Sequence, residues 1–442
     1  MSTSSENAIW WHVYPLGFVG AETKGSFDGP IVHRLGQLNL WMDYAVELGV
    51  SGLALGPIFA SSTHGYDTAD HFRIDPRLGD DSDFDALIEA AHSRGLQVVL
   101  DGVFNHVGQM HPAFQEVLQA GPEAEHASWF QLTWPRGTAP GAEPDHACFE
   151  GHRHLVTLAH GTPAVVEYVA TVMTHWLDRG ADGWRLDAAY AVPAQFWAKV
   201  LPRVRSAHPD AYIFGELIHG DYTAFVRDTG VDAVTQYELW KAIWSSLNDR
   251  NLFELSHALE RHNAFLDTFV PLTFVGNHDV TRIASLLADD RHLPHALAIL
   301  FTCGGTPSVY YGDEQGFRGA KEDRVGGDDA VRPVFPPTPD DFEAGDAQVF
   351  DLHRQLIRLR RRHPWLHRAR AEILHLTNEH LVFSVAQDAE RLLLCLNLAD
   401  EAVTLPVSAA GRIEAGGGDL MQAERQDAQI AIPAHGWAIL ST

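Results

Sequence analysis

Four times along this chain an amphipathic helix stops at a glycine and is followed by a short apolar strand that ends in polar residues. In "DFDALIEAAHSRGLQVVLDGVFNH", Phe84, Leu87, Ile88 and Ala91 share one helical face, Gly95 lies just past the helix, and Leu96 to Leu100 read as a buried strand. In "YVATVMTHWLDRGADGWRLDAAY" the stripe is Val169, Val172, Met173, Trp176 and Leu177, and the stop is Gly180. "DYAVELGVSGLALGP" and "HALAILFTCGGTPSVYYGDE" repeat the order. Helix alternating with buried strand demands a parallel sheet covered by helices, which leaves a closed barrel or a doubly wound open sheet. The units spread over about 300 residues, and no glycine-rich phosphate loop follows the first strand. Both features favour a (β/α)8 TIM barrel.

Two stretches break the pattern. Residues 107–160, rich in Gly, Pro, His and aromatics, follow directly on a strand end and predict a loop-rich insertion walling the barrel's C-terminal face. Beyond about residue 370 the hydrophobic period becomes two, as in "LVFSVAQ" and "RLLLCLNL", which predicts an antiparallel β domain. The expected division is therefore a barrel over 1–106 and 161–368, an inserted domain over 107–160, and a C-terminal β-sandwich over 369–442.

Charge narrows the partners. Lys and Arg number 32 against 58 Asp and Glu, a net charge of −26, which argues against nucleic acid and anionic membrane surfaces. The start, "MSTSSENAIWWHVYP", lacks a basic segment followed by an apolar run, and no window approaches the ~18 apolar residues of a membrane span. A cytoplasmic protein is expected. Cys148, Cys303 and Cys395, odd in number and far apart, fit free thiols.

The chemistry lies at the strand ends. Strand alternation puts Arg185 and Asp187 on one side of their strand, and in a barrel that side is the inner rim. Asp101, Asn105 and His106, then Glu216, then Asn277, His278 and Asp279, each follow an apolar strand in the same way. Converging carboxylates suit glycoside hydrolysis, in which one attacks and another delivers a proton to the leaving oxygen. A guanidinium two residues from Asp187 predicts a carboxylate held ionised for attack. His146, His152, His154 and His160 crowd the insertion, but without HExxH or comparable ligand spacing no metal site is expected there.

"DGVFNH" (101–106), "GWRLD" (183–187), "GE" (215–216) and "NHD" (277–279), in that order, resemble the four signature segments of the α-amylase family of retaining α-glucosidases and transglycosylases. Similarity continues through "HGYDTADHFRIDPRLG" and "GTPSVYYGDEQG", with phrasing nearest the neopullulanase and cyclomaltodextrinase branch. The resemblance implies Asp187 as nucleophile, Glu216 as general acid/base and Asp279 as the third carboxylate gripping sugar hydroxyls. It implies hydrogen bonds from His106 and His278 to the same sugar, with Arg185 beside the nucleophile, and Tyr66 stacked on the sugar's face. It also implies Asp67 and Arg332 at the non-reducing end. Substrates would be short or cyclic maltooligosaccharides, joined by α-1,4 or α-1,6 bonds, and the assembly a homodimer. A glucosyltransferase or a non-catalytic barrel scaffold are the alternatives.

The chain also departs from its branch. Relatives carry an additional N-terminal β domain ahead of the barrel, whereas the first barrel strand here begins near residue 10. Where they show Leu-Pro-Lys-Leu-Asn, this chain reads "LVTLA" (155–159). Ala191 stands near a ligand position of calcium-dependent amylases. No cofactor is expected, and calcium is not expected to be needed for catalysis.

Overall fold

The computed structural model describes residues 6–23, 28–135, 143–324, 326–342, 345–407, 412–417 and 428–441. Eight parallel strands form the expected barrel: β1 (Trp10–Val13), β2 (Gly52–Leu55), β3 (Gln97–Gly102), β4 (Gly183–Leu186), β5 (Tyr212–Gly215), β6 (Ala233–Val234), β7 (Leu272–Phe274) and β8 (Thr306–Tyr310). Each pairs with its neighbour in chain order, β8 returns to β1, and a single parallel bridge from Thr235 to Leu272 joins β6 to β7. Every residue of β1, β2, β4, β5 and β8 is buried, as expected of strands covered on both faces.

Alternation sorts these residues into two cores. Trp10, Ala54, Val99, Tyr212, Phe214, Leu272 and Phe274 pack together inside the barrel, with Trp10 stacked on Tyr212 at 5.8 Å. Trp11, Leu53, Val98, Leu100, Trp184, Leu186 and Ile213 point outward into the helices. Continuing the inward period past each strand brings Asp101 after Val99, Asp187 after Arg185 and Glu216 after Phe214 to the same rim. Register tightens this further, because Arg185 on β4 pairs directly with Asp101 on β3.

Asp80 caps the helix Asp81–His92, and Asp83 closes a reciprocal capping box. Close strand approach explains Gly183, where an added Cβ would lie 2.1 Å from the Tyr212 carbonyl oxygen. Gly183→Ala must push β4 from β5 and should lower stability by about 1–3 kcal/mol. Chemical denaturation of the variant against the parent measures this.

Within the insertion, His106–Gly108, His152–Thr157 and Cys148–Phe149 form a three-stranded antiparallel sheet, joined by a helix over Pro112–Ala120. His146 and His160 do not converge: their Nε2 atoms contact the carbonyls of Arg153 at 2.9 Å and Phe104 at 3.0 Å. The C-terminal region holds a five-stranded antiparallel sheet and a two-stranded ribbon, Val403–Pro406 with Gln429–Ile432. Val382, Leu393, Cys395, Leu405, Ile430 and Ile432 fill the space between them. All three cysteines are free. Among the described residues no helix is long and apolar enough to cross a membrane.

Candidate active site

One guanidinium organises the rim. Arg185 Nη1 donates to both oxygens of Asp101 at 2.7 Å and to Asp187 Oδ1 at 3.1 Å, while Nη2 meets Glu216 Oε1 at 2.9 Å. The planar fork thus places the Asp187 and Glu216 carboxylates at neighbouring corners of one rigid cation. Glu216 is fixed by two further donors: Tyr237 OH reaches Oε1 at 3.1 Å, and the Ala188 N–H reaches Oε2 at 3.0 Å. Ala188 adopts φ 44 and ψ 38, a left-handed conformation costing a non-glycine residue roughly 1–2 kcal/mol. That turn, immediately after Asp187, aims its amide at the acid and is compatible with the small side chain at this position.

Asp279 stands across the rim with a different environment. Its Oδ2 lies 2.9 Å from His278 Nε2, and its Oδ1 accepts from Arg332 Nη2 at 3.0 Å. Asn277 ties this side to the acid, because its Nδ2 donates to Tyr237 OH at 2.9 Å and its Oδ1 accepts from the Asp279 N–H. Capping does not account for Asp279, since the following helix, Ile283–Leu286, starts at Arg282 without a side-chain cap.

Of the expected sugar contacts, Tyr66 lies parallel to the His278 ring at 5.2 Å and donates its hydroxyl to Asp101 Oδ2 at 3.1 Å. The same hydroxyl makes a short contact with His278 Nε2. His106 Nε2 donates to the Tyr66 carbonyl at 3.0 Å, and its Nδ1 accepts from Asn105, so the ring braces Tyr66. Arg332 lies over the Tyr14 ring at 4.7 Å and serves Asp279. Asp67 is brought near but turned away. Its carboxylate accepts the Thr63 amide at 3.0 Å and the Thr63 hydroxyl at 2.8 Å, closing its own loop. From the insertion, Phe149 stacks on His106 at 4.8 Å and Glu150 accepts from Tyr190 OH at 3.1 Å.

Arg185 does pair with Asp187, as the sequence leads one to expect, but not exclusively. The guanidinium is shared among three carboxylates, and Asp101 takes the shortest contacts. Burial therefore pushes the Asp187 carboxyl well above the ordinary range; Arg185 opposes the shift, and Glu216, Asp101 and Asp279 add to it. At Asp279 burial also acts upward, but His278 and Arg332 outweigh it and hold the carboxyl well below its usual value. The rim titrates as a unit with these two members displaced in opposite senses.

Two pH effects follow. The acid limb of kcat/KM should lie above the value of about 3.9 for a free aspartate, and Asp101→Asn should move it down by leaving Arg185 more fully to Asp187. For stability the signs differ. A carboxyl raised in the folded state stabilises fully below its unfolded value and loses that contribution as pH climbs through the folded value. Asp187 behaves so, whereas the contribution of Asp279 is present above about pH 4 and disappears as pH falls through its depressed value. Initial rates and denaturation midpoints between pH 3 and 8 would read both.

At Ala191, near the position that resemblance linked to calcium, a short turn over Ala189–Ala191 presents methyl groups and one tyrosine, with no side-chain carboxylate or amide. A calcium ion there would have to rely on backbone carbonyls. The groupings of metal-ligating side chains among the described residues include none of the rim carboxylates.

A parallel barrel that gathers Asp101, Asp187 and Glu216 on one arginine, with Asp279 facing them, has the construction of a carboxylate glycosidase. The chain belongs to the alpha-amylase family: the family model described as "Alpha amylase, catalytic domain" matches residues 13–341. It is 31% identical over 441 residues to the cyclomaltodextrinase of Geobacillus thermopakistaniensis, covering 96% of this chain and 71% of the relative. Against neopullulanase 2 of Thermoactinomyces vulgaris identity is 33% over 362 residues, 78% of this chain and 56% of the relative. Among solved structures, the acarbose-soaked debranching enzyme of Nostoc punctiforme superposes with TM-score 0.82 at 27% identity, over 100% of this chain and 99% of that one. The cyclic α-maltosyl-(1→6)-maltose hydrolase of Arthrobacter globiformis, in complex with its namesake sugar, superposes with TM-score 0.83 at 25% identity and the same coverage.

Two participants, Tyr237 and the Ala188 amide, carried no usable signal in the sequence. Tyr237 lies in the helix Tyr237–Asn248, which shows only ordinary amphipathic periodicity, and the Ala188 amide depends on one backbone angle. Asp101 was visible as a strand-end residue, but its hold on Arg185 follows from cross-strand register.

Proposed function

We propose that this protein hydrolyses α-glucosidic bonds in short or cyclic maltooligosaccharides with retention of anomeric configuration. The observation that carries the reading is Arg185 bridging Asp187 and Glu216 while Asp279 stands apart on His278 and Arg332. Asp187 attacks the anomeric carbon, and Glu216 protonates the departing oxygen and then deprotonates the incoming water. Asp279 stays ionised opposite the developing oxocarbenium charge. No metal enters these steps, and rates should survive chelator. The printed names of the relatives, cyclomaltodextrinase, neopullulanase and cyclic maltosyl-maltose hydrolase, support substrates with one or both linkages, presented in small rings or short chains.

Incubating the enzyme with maltotriose, panose, cyclodextrins and a cyclic maltosyl-maltose, followed by mass spectrometry and anomer-resolved NMR, tests the proposal. Release of α-configured glucose or maltose is the expected result. An initial β-anomer, or no cleavage of any of these sugars, would refute it, and transfer products dominating at low acceptor concentration would mark a glucosyltransferase instead. A cytoplasmic location and a homodimer complete the reading. The first has support in a relative called intracellular maltogenic amylase, from Bacillus subtilis, and light scattering would check the second.

A further inference from the structure

Barrel and C-terminal region meet at a second concentration of titratable side chains. Asp289 and His292 lie on the turn leading into the helix Leu293–Thr302, and His435 lies between the strands Gln429–Ile432 and Trp437–Ser441. One ligand atom from each of Asp289, His292 and His435 falls within 4.8 Å of the other two. His435 Nδ1 is 3.0 Å from His292 Nε2 and 4.0 Å from Asp289 Oδ2. Nitrogen and oxygen ligands ~2.0–2.1 Å from a tetrahedral ion stand roughly 3.3–3.5 Å apart, so both separations lie within an ångström of ligand geometry. The His292 residue is 2% exposed and the His435 side chain 4%.

A single hydrogen bond between the two rings accounts for the 3.0 Å contact, but the surrounding groups point further. His435 Nε2 donates to Asp400 Oδ1 at 2.8 Å, and its Nδ1 is the atom that Asp289 and His292 face. A carboxylate behind the far nitrogen is the usual device for fixing a ligating histidine's tautomer.

We propose that Asp289, His292 and His435 form a three-ligand site for a divalent ion of the zinc class, with the fourth position open to water, fastening the C-terminal sheet to the barrel. Arg291 is its competitor. Its Nε and Nη2 fork the Asp289 carboxylate, at 2.9 Å from Oδ1 and 2.6 Å from Oδ2, and with 56% of its side chain exposed it must swing towards Asp400, 3.6 Å from Nη2, or solvent when an ion enters. Arg250, at 3.2 Å from Asp400, remains as that carboxylate's cation.

Full-length protein stripped with chelator, then equilibrated with zinc chloride alone and desalted, supplies the test through zinc content and melting temperature. One zinc per chain and a rise of about 3 °C or more are expected. His435→Gln should abolish both, and Asp400→Asn should weaken zinc binding about 10–100-fold while leaving the ligands in place. Arg291→Ala should tighten it, an effect no loss of folding can imitate. A His152→Gln/His154→Gln double variant should keep the bound zinc. Retention of zinc and of the thermal rise in His435→Gln, or no zinc on either the parent or Arg291→Ala, would overturn the proposal. None of these residues touches the rim, so hydrolysis of maltooligosaccharides stands or falls separately.

Discussion

Asp187→Asn should lower turnover on every glucosidic substrate by on the order of 10⁴-fold or more, because no other rim group can take the place of the attacking oxygen. Glu216→Gln should cost about 10²–10⁴-fold on natural sugars, the range attributed to a positioned acid or base. The two variants separate when the leaving group changes. An α-maltosyl fluoride departs without a proton, so its first step should be largely restored in Glu216→Gln and remain lost in Asp187→Asn. Single-turnover measurements on the fluoride would show this, and equal losses in both variants would contradict the assigned roles. Neither substitution changes side-chain volume much, and melting temperatures near the parent's would confirm intact folds.

Arg185→Met should be the most destabilising change at the rim, by about 3–5 kcal/mol near neutral pH, because it leaves Asp101, Asp187 and Glu216 buried without their cation. The sign of its pH dependence is diagnostic. Without Arg185 the upward push of burial on Asp101 and Asp187 loses its main opponent, so the loss should shrink as pH falls and these groups take up protons. Denaturant unfolding at pH 5 and pH 8 reads the difference. Adding Asp101→Asn should recover part of the loss, a coupling that a double-mutant cycle would measure. A pH-independent cost would mean that Arg185 acts through packing, not charge.

Much of the architecture was legible beforehand because it rests on local periodicity. A strand buried on both faces needs an unbroken apolar run, and a helix over it needs a 3.6-residue stripe, so "LQVVLDG" and "VATVMTHWL" declare themselves. The rim residues were legible for the same reason: period two carries inward from Val99 to Asp101 and from Arg185 to Asp187. Tyr237, the Ala188 amide and the brace from His106 to Tyr66 were not, because each depends on where separate elements come to rest.

By itself the sequence determined which side chains share the inner face, since an extended backbone turns successive side chains to opposite sides and the apolar run marks the strand. Only the tertiary structure decided how those charges are shared. The β3–β4 register puts Asp101 opposite Arg185, so the guanidinium serves three carboxylates instead of one. Burial then raises Asp187, while Arg332, 53 residues further along the chain, joins the neighbouring His278 in holding Asp279 ionised. Electrostatic energies depend on distance and surrounding dielectric, and both are set only when the strands close into a ring.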